Sequence, residues 1–228
     1  MNVLALDTAT QILSLALSAN GDVWYFEIDA GLKHSEFLMD GVDLLLKKAG
    51  LKPADLDRVA CMKGPGSFTG LRIGFSAAKG LALSLGIPLV SVPTLDCMAF
   101  SQAVWPGPVL PVLDARKNRY FTALYRGAGR LSAYKDADPG EILELLRSAA
   151  VPGPVLFTGP DAASLMAEPG ISREGFFVDP AQKYGKGREL LALAKNIIIV
   201  DTNEVVMGPL YLRDSDAELN LRTRASIL

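Results

Sequence analysis

The segment VLALDTATQILSLALSANGDVWYFEI, residues 3–28, contains three apolar runs separated by two short breaks. The second break includes Asn20 and Gly21, a pair that strongly favours a β-hairpin turn. Breaks this short can join only antiparallel neighbours in a sheet. The segment therefore predicts a meander of three antiparallel strands at the start of the fold.

The residues that follow alternate between helix and strand patterns. Leu38, Val42 and Leu45 recur at helical spacing and predict a helix over residues 35–49. Thr94 is expected to cap a later short helix. The remaining elements of this half are predicted over residues 58–62 (strand), 71–85 (helix), 89–92 (strand) and 94–103 (helix). A meander followed by strand–helix–strand units predicts an α/β fold with a mixed sheet covered by helices.

The same order of elements restarts after Trp105-Pro106-Gly107-Pro108, which is typical of a boundary. We therefore predict two subdomains, 1–104 and 105–228, of which the second is reduced. Its strands are predicted over residues 109–113, 120–125, 131–134 and 155–158, and its helices over 141–149 and 188–199. Residues 159–187 contain several glycines and prolines and are expected to be irregular.

The composition excludes several classes of protein. Half of the 228 residues are hydrophobic, and 23 basic residues oppose 25 acidic ones, so neither a disordered chain nor a strongly basic nucleic-acid module is expected. Two cysteines, Cys61 and Cys97, do not make a disulfide scaffold and fit a reducing compartment. No apolar run is long enough for a membrane span. We expect a cytoplasmic protein without membrane association.

An acidic turn follows the first strand. Asp7 ends the apolar run, and Thr8 and Thr10 follow it. An acid with neighbouring hydroxyls could hold a metal–phosphate group, whereas Asp and Thr also stabilise turns by bonding their own backbone. Both interpretations stay open at this point.

A glycine-rich segment, residues 63–74, reads KGPGSFTGLRIG and joins a strand to a helix. Helix N-termini bind anions through free N–H groups. Gly70 is followed by Leu71, so the segment is not a P-loop. The alternative is a tight structural turn in which Ser67 or Thr69 caps the helix.

The helix after this segment is rich in small residues, namely Gly70, Gly74, Ala77, Ala78 and Gly80. A glycine inside a soluble helix costs about 1 kcal/mol relative to alanine. Their presence predicts a closely packed neighbour, which lies either within this chain or on another chain.

Motifs typical of metal enzymes and hydrolases are missing from the sequence. His34 is the single histidine and is expected to be a cap or surface residue, and Cys61 lies in an apolar strand and is expected in the core. There is no His-x3-His, Cys-x2-Cys or Gly-x-Ser-x-Gly pattern. We therefore do not expect a zinc or iron enzyme, and catalysis by a serine, histidine and aspartate would have to use His34 as the base.

Three segments together resemble the TsaB (YeaZ) family: residues 4–10, residues 64–74, and Pro209-Leu210-Tyr211-Leu212-Arg213. The resemblance spans essentially the whole chain. It implies an actin-like, Hsp70-like ATPase fold made of two ribonuclease-H-like halves. It also implies a role in the bacterial pathway that makes N6-threonylcarbamoyladenosine at the tRNA position next to the anticodon.

Within that family this subunit is not the catalyst. The resemblance implies that a paralogue, TsaD, transfers the threonylcarbamoyl group, that the ATPase TsaE joins the pair, and that a TsaC-type enzyme supplies the activated group. Thr94 and Met98 stand where TsaD has two metal-binding histidines, and neither side chain replaces an imidazole.

Nucleotide binding by the chain alone is not expected. The turns over residues 8–11 and 115–119 correspond to the phosphate hairpins of the fold, and neither contains glycine. ATP and Mg²⁺ are therefore expected only in the complex. The basic cluster Arg116, Lys117 and Arg119 could meet a phosphate or an acidic partner, or could be a solvated hairpin tip.

The resemblance also implies that the first two helices pack on the equivalent pair of TsaD, and that the isolated subunit can pair with itself. The residues assigned to partner binding are Leu38, Val42, Leu45, Gly70, Arg72, Gly74, Ala77 and Ala78. A charge at Gly74 or Ala78 is then expected to abolish the complex without unfolding the chain. Contact with tRNA is expected only through the complex.

Two other functions remain as alternatives. The first is a stand-alone enzyme, either a phosphotransferase using Asp7 and Asp114 or a peptidase. The second is direct RNA binding through residues 116–119 with Arg222 and Arg224. A net charge of −2 gives little long-range attraction for RNA.

Overall fold

The first sheet confirms the predicted meander. In this computed structural model its strands are β1 (Val3–Asp7), β2 (Ile12–Ala19), β3 (Asp22–Asp29), β4 (Arg58–Gly64) and β5 (Leu89–Pro93). Their order is β3-β2-β1-β4-β5, with β1, β2 and β3 antiparallel and β1, β4 and β5 parallel.

The structure describes residues 1–31, 33–150, 152–181, 183–197 and 208–212. Arg213, Arg222 and Arg224 lie outside the described residues, as does the predicted end of the last helix at 198–199. Within the described ranges, no helix is both long and apolar enough to cross a bilayer.

Three helices belong to the first half: α1 (His34–Ala49), α2 (Phe68–Leu85) and α3 (Thr94–Phe100), with a short 3-10 turn over Pro53–Asp55. Helix α2 begins three residues earlier than predicted because Ser67 caps it, its Oγ accepting from the Gly70 N–H. Thr94 is the first residue of α3 and not its cap.

The central strands of the first sheet are covered on both faces, which explains why β1 is buried along its whole length, whereas the edge strand β3 is only partly buried. Side chains alternate along β1, so Leu4 and Leu6 pack under α1 and α2, whereas Val3 and Ala5 point to the opposite face. A helix from the far end of the chain covers that opposite face, as described below.

The second sheet repeats the order of the first. Its strands are β6 (Val109–Asp114), β7 (Tyr120–Thr122), β8 (Tyr125–Arg126), β9 (Gly129–Arg130), β10 (Lys135–Ala137), β11 (Val155–Thr158) and β12 (Phe176–Val178). The main path is β10-β7-β6-β11-β12, with β8 and β9 as a side hairpin. This path corresponds strand for strand to β3-β2-β1-β4-β5. The duplicated ribonuclease-H-like topology confirms the actin-like α/β fold.

The predicted strands at residues 120–125 and 131–134 are partly wrong. The first is divided into β7 and β8, and the paired residues after it are 129–130 and 135–137. Gly127 has a positive φ and allows the tight turn between β8 and β9. In the segment predicted to be irregular, α5 (Ala162–Met166) and β12 are regular but short.

The helices of the second half are α4 (Pro139–Ala149), α5, and α6 (Gly187–Asn196). Helix α4 begins earlier than predicted because Asp138 and Glu141 form a capping box ahead of it. Helix α6 packs on β1 and β2 of the first sheet, through Leu190, Leu191 and Ala194.

Helix α3 belongs to the first half of the chain but packs on the second sheet. Leu95 and Met98 lie in one apolar cluster with Val109 and Leu113. Asp96 accepts hydrogen bonds from the hydroxyls of Tyr125 and Tyr134, at 2.5 and 2.9 Å. Each half therefore contributes a helix to the other, and the boundary between residues 104 and 105 stays a prediction.

Candidate functional site

The glycine-rich segment packs on the acidic turn that follows β1. A β-carbon on Gly70 would overlap the Thr8 carbonyl oxygen, and one on Gly74 would overlap the Thr8 hydroxyl. The Thr8 Oγ1 donates a hydrogen bond of 2.8 Å to the Gly70 carbonyl oxygen. The close neighbour that the small residues predicted is therefore within this chain.

Asp7 lies beneath this contact and is 2% exposed. Its Oδ1 accepts from the Ala9 N–H at 3.0 Å, and its Oδ2 accepts from the Lys186 N–H at 2.8 Å. Burial raises the pKa of Asp7 to about 6, although the two N–H groups act in the opposite direction.

The possible role of Asp7, Thr8 and Thr10 in phosphate binding stays a prediction, and the structure shows these residues in contacts within the chain. Asp7 and Thr8 are buried, and both are hydrogen-bonded to other parts of the chain. The Thr10 Oγ1 accepts from the Ile12 N–H at 3.3 Å, as expected for a turn. Their roles here are those of turn and packing residues.

His34 is buried and not a surface residue. Its Nε2 lies 2.7 Å from the Thr10 carbonyl oxygen, so the ring fastens the start of α1 to the turn after β1. Its Nδ1 is buried and forms no hydrogen bond with the part of the chain that the structure describes.

The third motif lies across the glycine-rich segment. Residues 208–212, here called the C-terminal strap, follow an extended path in which the Leu210 N–H donates to the Lys63 carbonyl oxygen at 2.6 Å. Gly64 has φ of 103°, and a β-carbon there would lie 2.6 Å from the Leu210 carbonyl oxygen. Only glycine combines this backbone conformation with so close an approach.

Side chains of the strap and of α2 form a surface cluster of three residues, here called the Arg72 cluster. The rings of Phe68 and Tyr211 have centroids 5.0 Å apart, and the Arg72 guanidinium carbon lies 3.8 Å from the Phe68 centroid. The Arg72 Nε donates to the Tyr211 hydroxyl at 3.2 Å. The Arg72 cluster thus joins residues 139 positions apart in the chain.

Six of the eight residues assigned to partner binding are in the core. Leu38, Val42, Leu45, Gly70, Gly74 and Ala78 are all buried. A stripe of apolar residues at helical spacing first packs on its own sheet, so these six residues are not on the surface of the chain, and their role in partner binding stays a prediction. Ala77 is half-buried, and Arg72 is exposed.

Other apolar side chains of the same two helices face outward. On α1, Met39 is 49% and Leu44 is 43% exposed, and on α2 Leu83 is 67% exposed. They lie outside the regular apolar stripe, so periodicity did not single them out. Their signal in the sequence is apolar residues beside the stripe, on helices whose buried face is already complete.

The basic cluster of the second half contains one structural residue. The Arg119 Nε lies 2.8 Å from Asp136 Oδ1, and an Nη2 lies 3.0 Å from Glu141 Oε2. These contacts tie the β6–β7 turn to the start of α4. Arg119 therefore has a structural role, because its charge is paired with Asp136 and Glu141 within the chain.

At the tip of the same turn, Arg116 contacts Asp114, the last residue of β6. Arg116, Lys117 and Asn118 all have positive φ, which is uncommon for side-chain-bearing residues. The Arg116 N–H donates to Asp114 Oδ1 at 2.7 Å, and its guanidinium lies 3.5 Å from Asp114 Oδ2. The Asp114 carboxylate thus occupies the inside of the turn.

The residues compared with metal ligands lie on α3. Thr94 and Met98 are both buried, and no described residue forms a hydrogen bond with the Thr94 hydroxyl. Across the described ranges, no three His, Cys, Asp or Glu side chains are placed to hold a metal ion. Cys61 is fully buried, as predicted.

Comparisons with known proteins identify relatives that match most or about half of the chain. A protein of Bacillus subtilis (strain 168), described as tRNA threonylcarbamoyladenosine biosynthesis protein TsaB, is 35% identical over 226 residues, which cover 96% of each chain. The protein of the same description from Escherichia coli (strain K12) is 38% identical over 131 residues, or 55% of each chain.

A structure described as YeaZ from Pseudomonas aeruginosa is 26% identical and has a TM-score of 0.69, covering 86% of this chain and 92% of that one. A second structure, described as similar to peptidase YEAZ from Pseudomonas aeruginosa, is 25% identical with a TM-score of 0.77 and covers 93% and 99%.

A family model described as TsaD, tRNA N6-adenosine threonylcarbamoyltransferase, matches residues 29–149. That range contains both α1 and α2 and continues into α4. The match agrees with the predicted relation to a catalytic paralogue. The chain therefore belongs to this TsaD-related family and, within it, to the TsaB family.

Proposed function

We propose that this chain acts in the biosynthesis of threonylcarbamoyladenosine in tRNA, in the cytoplasm, as a non-catalytic subunit that binds and activates TsaD. The observation that carries the proposal is the 35% identity to the Bacillus subtilis TsaB protein over 96% of both chains. An identity that extends from β1 to the strap supports a shared role and not only a shared fold.

The absence of a catalytic role is supported by the state of the acidic turn. Asp7 uses both carboxylate oxygens within the chain, and Thr8 and the glycine-rich segment cover it. Thr94 and Met98 are core residues of α3. We accordingly propose that ATP and Mg²⁺ bind only in the assembled complex.

The contact with TsaD is proposed for the outer face of α1 and α2. This outer face contains Met39 and Leu44 on α1 and Leu83 on α2, all exposed apolar side chains. Exposed apolar side chains on two neighbouring helices favour a protein contact, because the contact removes them from water. TsaE, a TsaC-type enzyme and tRNA are proposed to act through the assembled pair, and self-association is proposed to use the same face.

We expect Leu44→Glu and Leu83→Glu to raise the Kd for TsaD about tenfold or more. Both positions are exposed, so a charge is tolerated in the free subunit but is desolvated in the complex. The Kd is measured by calorimetry with the TsaD protein encoded by the same genome.

Val104→Glu is the matched control. Val104 is 95% exposed and lies after α3, away from the outer face of α1 and α2, so its replacement should leave the Kd within twofold of wild type. All three variants should keep the free energy of unfolding within about 0.5 kcal/mol. Unchanged affinity in the Leu44 and Leu83 variants would contradict the proposed face.

A further inference from the structure

We infer that the Arg72 cluster receives a carboxylate side chain from the partner helix that packs on α2, and that Tyr211 holds Arg72 ready for it. This inference rests on the proposed function, because it places the charge chemistry of the same contact. It adds the C-terminal strap to the binding surface.

The guanidinium of Arg72 is already oriented in the free chain. The Phe68 ring supports one face, and the Tyr211 hydroxyl holds Nε. These two contacts leave the Nη1 and Nη2 edge, which is the edge that pairs with a carboxylate in a two-point contact. Orienting the side chain in advance lowers the entropy lost on binding.

The positive charge of α2 is not balanced within the described residues. Arg72 and Lys79 are the charged residues of α2, and neither lies within 4.0 Å of a described carboxylate, whereas Lys47 on α1 pairs with Asp43 at 2.5 Å. Arg72 also lies near the positive end of the helix dipole, and the first turn contains no acid. An acidic side chain from a partner would pair with the Arg72 guanidinium and would also interact favourably with the helix dipole.

A protein carboxylate fits this surface better than a nucleic-acid phosphate does. Arg72, Ser76, Lys79 and Leu83 recur at helical spacing on the outer side of α2, so the basic groups are continuous with an exposed apolar residue. Leu83 is 67% exposed. Charges beside apolar surface are typical of helix–helix contacts, whereas phosphate contacts come from dense basic patches.

The test compares TsaD affinities of single variants. We expect Arg72→Glu to raise the Kd by about 20- to 100-fold, because it puts like charges together at the contact. Arg72→Lys keeps the charge but loses the two-point geometry and the stacking, so a rise of about fivefold is expected. Tyr211→Phe keeps the ring contact and removes the hydroxyl, and should raise the Kd about threefold.

Arg130→Glu is the matched control. Arg130 is likewise exposed and its guanidinium lies 3.9 Å from the Tyr134 ring centroid, but it is on the side hairpin of the second sheet. Its replacement makes the same change of charge and should leave the Kd within twofold. An equal loss of affinity in both variants would overturn the inference.

The wild-type measurement separates this inference from the proposed function. If the wild-type chain does not bind TsaD, the proposed contact is wrong and the inference fails with it. If the wild type binds and Arg72→Glu binds within twofold of it, the inference alone is wrong. It is also overturned if Arg72→Glu weakens only self-association, measured by sedimentation, or only the binding of tRNA to the isolated chain.

Discussion

The Gly70→Ala variant is expected to lose about 3 kcal/mol of the free energy of unfolding. A methyl group at this position overlaps the Thr8 carbonyl oxygen, which is backbone and cannot rotate away. The helix must then move from the turn, and the buried hydrogen bond from Thr8 to Gly70 is lost as well. Urea denaturation at pH 7 measures the change.

Gly80→Ala is the matched control in the same helix. Among the described residues, no atom lies within 4 Å of a β-carbon at Gly80, and this residue is exposed. Because alanine favours a helix over glycine, we expect this variant to gain about 0.5–1 kcal/mol. Two alanine substitutions ten residues apart should thus have opposite signs. A loss under 1 kcal/mol for Gly70→Ala would show that the close approach to Thr8 is not needed.

The second prediction concerns the pH dependence of stability caused by Asp7. The pKa of Asp7 is about 6 in the folded chain, compared with 3.8 for an ordinary aspartate, which is the value we take for the unfolded chain. Between these values the folded state holds the proton that the unfolded state has released, so stability falls as the pH rises. Relative to Asp7→Asn, the wild type should lose about 2.5 kcal/mol between pH 4 and pH 7.5.

The measurement is urea denaturation of both proteins at closely spaced pH values, and the difference between them removes contributions from all other groups. Asp40→Asn, at an exposed position of α1, is the control and should change stability by under about 0.5 kcal/mol throughout. A difference between wild type and Asp7→Asn that stays flat from pH 4 to pH 7.5 would contradict the assigned cause, which is burial of the carboxyl group.

Most of the first sheet could be predicted from the sequence. The apolar runs, the Asn20-Gly21 turn and the helical spacing of Leu38, Val42 and Leu45 are local signals, and each falls inside its observed element. The second half was harder to predict because its strands are short. A strand of three residues, such as β10 or β12, has no room for a clear alternation of apolar and polar side chains.

The sequence identified residues of α1 and α2 that matter for packing, but it did not show which of their side chains are exposed. The pattern that identifies a helix also identifies its buried face, so Leu38 and Val42 could not mark a partner contact. The Arg72 cluster depends on Tyr211, which is 139 residues from Arg72 in the chain. No local pattern predicts such a contact.

A charge at Gly74 or Ala78 is now expected to destabilise the chain and not only the complex. Both residues are buried, and the Thr8 hydroxyl already fills the space beside Gly74. A carboxylate at either position enters the core without a partner, which destabilises the fold itself. A loss of TsaD affinity in these two variants could therefore result from unfolding. The Leu44→Glu and Leu83→Glu variants avoid this problem, because both positions are exposed.

The crossing of α6 onto the first sheet has a consequence for synthesis of the chain. When a ribosome has translated residue 104, all five strands of the first sheet and α1 to α3 exist. The face formed by Val3, Ala5 and Val90 still lacks its cover, because Leu190 and Leu191 have not been translated. The nascent first half therefore presents an apolar surface for some eighty residues of elongation, which is a period of exposure to aggregation and chaperone binding.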